Sequence, residues 1–188
     1  MGHSQAAKAS TRQRILEIAA RRFRERGFSS VGLAEIAREA GITPAAFYRH
    51  FASREAILAE AVHEAARSLD TWAASSQDIA SAVRNYLSVA HRDTPGSGCP
   101  LVALVHDAAR ADDVTRDAYT AEVKRMLDFL EGLLAAQGHA NARAMAVLQL
   151  SASVGAMGLA RAADDPTLSR DLLDQVADGL VRLGTPQP

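Results

Sequence analysis

Between Ile15 and Leu183 the apolar side chains of this chain recur three and four residues apart, and the stretches with that spacing are punctuated by glycine, proline or a short polar residue. Such spacing lines one face of an α-helix; a half-buried strand alternates in steps of two instead. Composition agrees, since 39 alanines stand against 6 isoleucines and 12 valines. Ala, Leu, Arg and Glu favour helices, whereas sheets draw on β-branched and aromatic residues. With 188 residues, 48% hydrophobic and 23% charged, the chain can bury a sizeable core in one or two domains and should not remain disordered. The expectation is an all-α chain of about nine helices, without strand, repeat or low-complexity tract.

Residues 1–7 read as a frayed tail, after which Ser10 and Gln13 can form a capping box ahead of Ile15, Leu16, Ala19, Ala20 and Phe23. Gly27 suits a left-handed stop, with Phe28 packing back on Phe23. Gly32 opens a helix of barely two turns that Gly41 ends. Thr43 caps the next helix, and Pro44 takes its first position. Ser53 starts a long helix striped by Leu58, Val62, Ala65, Leu69 and Trp72. Further helices run beyond Asp78 through Ala90, from Pro100 to near Arg110, from a cap at Asp112 or Asp113 to Gln137, from Asn141 to Ala163, and from Pro166 to Gly184. Asp93 to Gly98 must be loop. The uncharged run Ala144–Ala160 holds Gln149, Ser151 and two glycines; it is too short and polar to span a bilayer comfortably and reads as a buried helix.

The formal net charge of −1 conceals an asymmetry: residues 1–54 carry ten Lys or Arg against four Glu. A basic block on an acidic body suits a polyanion-binding head, or simply a solvated surface. Within that block Ala37 and Gly41 lie four apart and Phe47 follows. A helix-turn-helix needs these types: a small residue where two helices press together, a glycine at the sharp turn, and an apolar plug on the second helix. The alternative is an ordinary helical corner.

Gly27-Phe28, Ile36-Ala37, Ala40-Gly41-Ile42-Thr43, Phe47-Tyr48-Arg49-His50-Phe51 and Ser53-Arg54-Glu55 with Leu58 together resemble the DNA-binding domain of TetR-family transcriptional regulators. The likeness covers residues 10–58, with departures at Gly32, Ala45-Ala46 and Arg54. It implies an amino-terminal three-helix head (residues 1–52) that binds double-stranded operator DNA as part of a homodimer. It also implies a larger helical body (residues 53–188) that binds a small-molecule effector and dimerises. By the same resemblance Thr43, Tyr48, His50 and Arg54 are candidate phosphate contacts, and Pro44, Ala45, Ala46 and Arg49 face the bases.

In the body, Trp72, Tyr86, His91, Cys99, His106, Tyr119, Met126 and Met157 are candidate pocket residues, each with a plain core role as its alternative. His106 stands among Leu101, Leu104 and Val105, where an imidazole needs a partner. Cys99, near a helix start, is either a reactive thiolate or a small buried residue. Ser151, Gly155 and Gly158 permit close helix approach. With the stripe Leu172, Val176, Leu180 and Leu183 they suggest a four-helix dimer interface. One cysteine excludes an internal disulfide and suits the cytoplasm, and no secretory leader is expected. No catalytic, metal or cofactor motif stands out, so an enzyme is not expected.

The reading is a cytoplasmic, ligand-responsive, sequence-specific DNA-binding regulator. It would be a repressor released from a palindromic operator by a small apolar molecule that tilts the helix starting at Ser53. Two alternatives stay open: a ligand-independent architectural DNA binder, and a helical carrier or enzyme with a vestigial head.

Overall fold

A computed structural model describes residues 2–185; within them lie 11 α-helices, one 3-10 turn and no strand. The helices are α1 Gly2–Arg26, α2 Leu33–Glu39, α3 Pro44–Phe47, α4 Arg54–Ala74, α5 Ile79–Tyr86 and α6 Val89–Asp93. The turn Pro95–Ser97 follows, then α7 Pro100–Ala103, α8 Val105–Ala108, α9 Asp113–Ala136, α10 Ala142–Ala162 and α11 Pro166–Gly184. Eleven helices replace the expected nine because two expected helices are broken. Leu87, with φ −85° and ψ 58°, divides α5 from α6. Leu104, with φ −115° and ψ 6°, divides α7 from α8.

Local chemistry sets most boundaries. Ser53 accepts from Ala56 N at 3.2 Å, Asp112 from Thr115 N at 3.0 Å, and Asp165 from Thr167 N at 2.8 Å, each satisfying an otherwise orphaned helix donor. Asp78 and Ser81 form a capping box. Gly27 has φ +77°, and Phe28 turns back so that its ring meets Phe23 edge-on, centroids 5.3 Å apart. The expected capping box at Ser10 is absent: α1 already starts at Gly2, so Ser10 lies inside it, and the expected tail is helical from Gly2 on.

Two apolar cores share α4. Its first half (Ile57, Leu58, Ala61, Val62) packs with Ile15, Phe23, Ile36, Phe47 and Phe51 of the head. Ala66 and Leu69 pack with Ile79, Leu101, Met126, Leu134, Met157 and Leu173 of the body. α4 thus contributes side chains to the cores of both head and body.

By length and hydropathy α10 could cross a membrane, yet it packs here as a core helix between α9 and α11. The expectation of full burial needs correction. Ala146, Gln149, Ser153, Ala156 and Met157 face the core, while Val147, Leu148, Ser151, Gly155 and Leu159 are exposed. Helical period identifies an apolar stripe but not whether the opposite face is also covered.

Candidate nucleic-acid interface and effector cavity

The helix-turn-helix is built from α2 and α3. Gly41, at φ +71°, makes the turn, and Ile42 N closes it on Ala37 O at 3.0 Å. Thr43 Oγ1 accepts from Ala46 N at 3.2 Å, which starts α3. Only four residues are regular helix; bonds of 3.2 Å from Arg49 N to Ala46 O and 2.9 Å from His50 N to Phe47 O carry the winding on to Phe51. Such a short helix stands only because Phe47 and Phe51, 1% and 2% exposed, anchor it in the head core.

That anchoring turns the other residues outward. Thr43, Pro44, Ala45, Tyr48 and Arg49 are exposed, with Ala46 half-buried beside them. Tyr48 is 60% exposed and meets Phe47 edge to face, so it is a surface aromatic rather than a core one. The Arg49 guanidinium has no ion-pair or hydrogen-bond partner among the described residues. His50 is half-buried, and its Nδ1 is buried without a partner. Burial, with Lys8, Arg12 and Arg49 nearby, holds its pKa below the usual imidazole value.

Arg54 departs from expectation. Its guanidinium donates to the carbonyls of Phe28 and Val31 and closes the loop between α1 and α2, so in this conformation it points inward rather than toward a phosphate. Other basic residues of the head are likewise engaged. Arg21 and Arg22 pair with Glu39, Arg26 with Glu35, and Arg12 with Glu60 while lying over the Phe51 ring. Lys8, Arg14, Arg38 and Arg49 have no anionic partner among the described residues.

Arg24 ties head to body. From α1 its Nε donates to Gly96 O at 2.8 Å, Nη2 donates to the same oxygen, and Nη1 donates to Ala65 O at 2.8 Å. Burial lowers its pKa from the usual guanidinium value. Asp107 supplies a second tie, accepting from Phe28 N at 2.9 Å.

In the body a narrow chamber of about 20 Å³ lies between α4, α5, α9 and α10. Trp72, Tyr86, Cys99 and Met126 line it with Leu69, Leu130 and Gln149, an unexpected participant. The same Leu69, Trp72, Tyr86 and Cys99 wall a more open cleft of about 350 Å³, rimmed by His91, Asn85, Ser88 and Gly98. Trp72 meets Tyr86 and Phe129 edge-on and donates to Ala82 O at 3.1 Å.

His91 is held in one tautomer. Its Nδ1 faces Tyr86 O at 2.7 Å and must donate, while Nε2 accepts from Cys99 N at 3.0 Å. Burial holds its pKa low, against the Tyr86 carbonyl that favours its proton, and Arg161 lowers it further. Burial pushes the Cys99 thiol up, which favours the small buried residue over the reactive thiolate.

Tyr119 stands beside the body core and donates from its hydroxyl to Leu101 O at 2.8 Å, while lining neither space. Met157 is 0% exposed and lines neither, so it is core rather than pocket. His106 is exposed. It lines a groove of about 1140 Å³ with Val102, Val105, Gly155, Gly158 and Leu159, while Leu101 and Leu104 are buried in the core.

On the outer face of α10 and α11, Ser151, Gly155 and Leu183 are exposed and Gly158 is half-buried, whereas Leu172 and Val176, also half-buried, pack against the chain's own core. Leu180, 4% exposed, is not on this face: it packs inside the chain beside Leu173 and Ala177.

A three-helix head presenting a short exposed helix, joined through a shared α4 to an all-helical body with an apolar chamber, defines a two-part all-α protein with a helix-turn-helix. Residues 15–61 match the family "Bacterial regulatory proteins, tetR family". Over 52 residues it is 44% identical to the uncharacterized HTH-type transcriptional regulator YdgC of Bacillus subtilis, covering 28% of this chain and 27% of that protein. Over 50 residues it is 46% identical to the HTH-type transcriptional regulator AcrR of Shigella flexneri, covering 27% of this chain and 23% of that one. These alignments thus span only about a quarter of each relative's length. The whole fold is similar to a TetR-family regulator from Streptomyces coelicolor, with TM-score 0.70, 26% identity, and coverage of 95% of this chain and 97% of that one. It is also similar to one from Cytophaga hutchinsonii, with TM-score 0.80, 18% identity, and coverage of 94% and 96%.

Proposed function

We propose that this chain is a cytoplasmic, effector-responsive transcriptional regulator that binds a palindromic operator as a homodimer and represses until a small molecule releases it. One observation carries the reading: Phe47 and Phe51 are locked in the head core, so Thr43, Pro44, Ala45, Tyr48 and Arg49 stand on one exposed convex ridge. A ridge one helix wide fits the DNA major groove. Thr43, Tyr48 and His50 would take phosphates. Arg49 would read base edges, while Pro44, Ala45 and Ala46 offer apolar contacts to thymine methyls. Arg54 would act by holding the α1–α2 loop rather than by touching DNA.

Dimerisation would run through α10 and α11. Val147, Leu148, Leu159, Leu168 and Leu183 are 45–59% exposed on these helices. Ser151 and Gly155, small and exposed between them, permit close approach. Residues 1–52 would act as the reading head and residues 53–188 as the sensing and dimerising body.

The route from effector to DNA is supported by the segment Thr94–Cys99. Thr94, Ser97, Gly98 and Cys99 line the cleft, while Gly96 O holds Arg24 of α1. An effector that displaces this segment would loosen α1 as well as shift α4, provided it binds the DNA-incompetent arrangement more tightly. Selection from a random duplex pool tests the proposal. A two-fold-symmetric consensus is expected, and recovery of only unordered sequences would favour a non-specific architectural binder.

A further inference from the structure

Two buried polar atoms in the body lack an oxygen or nitrogen partner: Tyr86 Oη, which has only the weakly accepting Cys99 thiol beside it, and Gln149 Oε1. Both residues line the 20 Å³ chamber, and they are 6% and 1% exposed. An unpaired buried polar atom costs about 1–3 kcal/mol, so two in one chamber call for a reason. The Gln149 amide is not free to flip. Its Nε2 donates to Leu180 O at 2.9 Å, and a carbonyl cannot accept from Oε1, so the oxygen must face elsewhere.

We infer that the effector is a small, uncharged molecule with an apolar body and one hydroxyl group, the hydroxyl accepting from the Tyr86 phenol and donating to Gln149 Oε1; this rests on the effector-responsive reading above. A hydroxyl both accepts and donates, which is what this pair requires. The chamber volume takes a single group of about the size of one water. The cleft beyond it, about 350 Å³, is at the small end of the range for ligand pockets and has Leu69 and Trp72 to receive an apolar body.

Charged head groups fit poorly. A carboxylate would set its oxygens against the Gln149 Oε1 lone pairs and could donate nothing. An ammonium would be desolvated beside Leu69 and Met126 with no acid among the residues lining the chamber. Arg161 is the cation whose field reaches Tyr86, but it is committed to the carbonyls of His91 and Arg92 at 2.8 and 3.1 Å.

Trp72 is the chain's single tryptophan and lines both spaces, so its emission reports occupancy directly. The full-length protein is titrated with cyclohexanol, methylcyclohexane and cyclohexanecarboxylate. Cyclohexanol should bind, and the other two at least about tenfold more weakly. Tyr86→Phe should weaken cyclohexanol about tenfold and leave methylcyclohexane unchanged. Because that variant removes a buried hydroxyl whose one neighbour is a weakly accepting thiol, it should melt close to or above the wild-type temperature, which checks its folding. Equal binding of the carboxylate, an unchanged cyclohexanol affinity in Tyr86→Phe, or no Trp72 response to cyclohexanol up to its solubility overturns the inference. Fluorescence anisotropy of a selected duplex on ligand-free protein reports separately on the regulator reading. Loss of DNA binding sinks that reading whichever probe binds, whereas intact DNA binding released by the carboxylate alone sinks only the hydroxyl assignment.

Discussion

Replacing Arg24 with methionine probes the junction between head and body. Methionine keeps an apolar stem of similar length and removes every N–H. The bonds to Gly96 O and Ala65 O disappear, and both carbonyls are left in a half-buried setting. A hydrogen bond to a charged group contributes about 1.5–3 kcal/mol, so the two carbonyls together account for about 3–6 kcal/mol. Relief of the guanidinium's own desolvation offsets part of that, leaving a net loss of about 3 kcal/mol. For a chain of this size the melting temperature should fall by roughly 6–12 °C. Arg14→Met, at an exposed position with no partner among the described residues, is the control and should change stability by no more than about 0.5 kcal/mol. Differential scanning calorimetry makes the comparison. If Arg24→Met melts within about 2 °C of wild type, the Gly96 contact does not hold α1 to the body, and the route proposed through Thr94–Cys99 fails with it.

Three further outcomes follow from individual side chains. Because burial lowers the folded-state pKa of His91, its contribution to stability is complete above the unfolded value of about 6.5 and is lost as pH falls through the folded value; the drop in melting temperature between pH 7.5 and 5.5 should therefore be larger in wild type than in His91→Gln. Leu148→Glu places a charge on the exposed face of α10, and sedimentation should show monomer where wild type is a dimer; an unchanged sedimentation coefficient would move the interface elsewhere. Arg49→Ala should cost about 1–3 kcal/mol on the preferred site and relax its base preference, whereas a uniform loss over all sequences would make Arg49 a phosphate contact.

The residues that make these cases differ in how openly the sequence displays them. Caps and stops are local, so Thr43, Ser53, Asp112 and Gly27 with Phe28 can be read directly from neighbouring types. Arg24 and Arg54 cannot, because a basic residue in a basic block looks the same whether it faces water or a carbonyl. Arg24's partner Gly96 is brought to it only by tertiary packing. Leu180 misleads for a related reason: α11 has apolar residues on two sides, and period does not say which side, Leu173 and Leu180 or Leu168 and Leu183, meets the chain's own core. His106 misleads because only Leu101 and Leu104 of its apolar neighbours are buried, while His106 and Val105 share a surface groove. Gln149 did leave a signal, as a lone amide on the inward face of the uncharged run Ala144–Ala160, but only packing shows that it lines a chamber with Tyr86 and that its oxygen is buried without a partner.

Guanine-N7 methylation footprinting of a selected duplex is the most direct check that the Pro44–Phe51 ridge enters DNA twice per assembly. Two protected major-groove patches related by two-fold symmetry are expected, their centres about 34 Å or a multiple of that apart, with both patches altered together in Arg49→Ala. A single patch, protection confined to the minor groove, or a footprint unaffected by Arg49→Ala would contradict it.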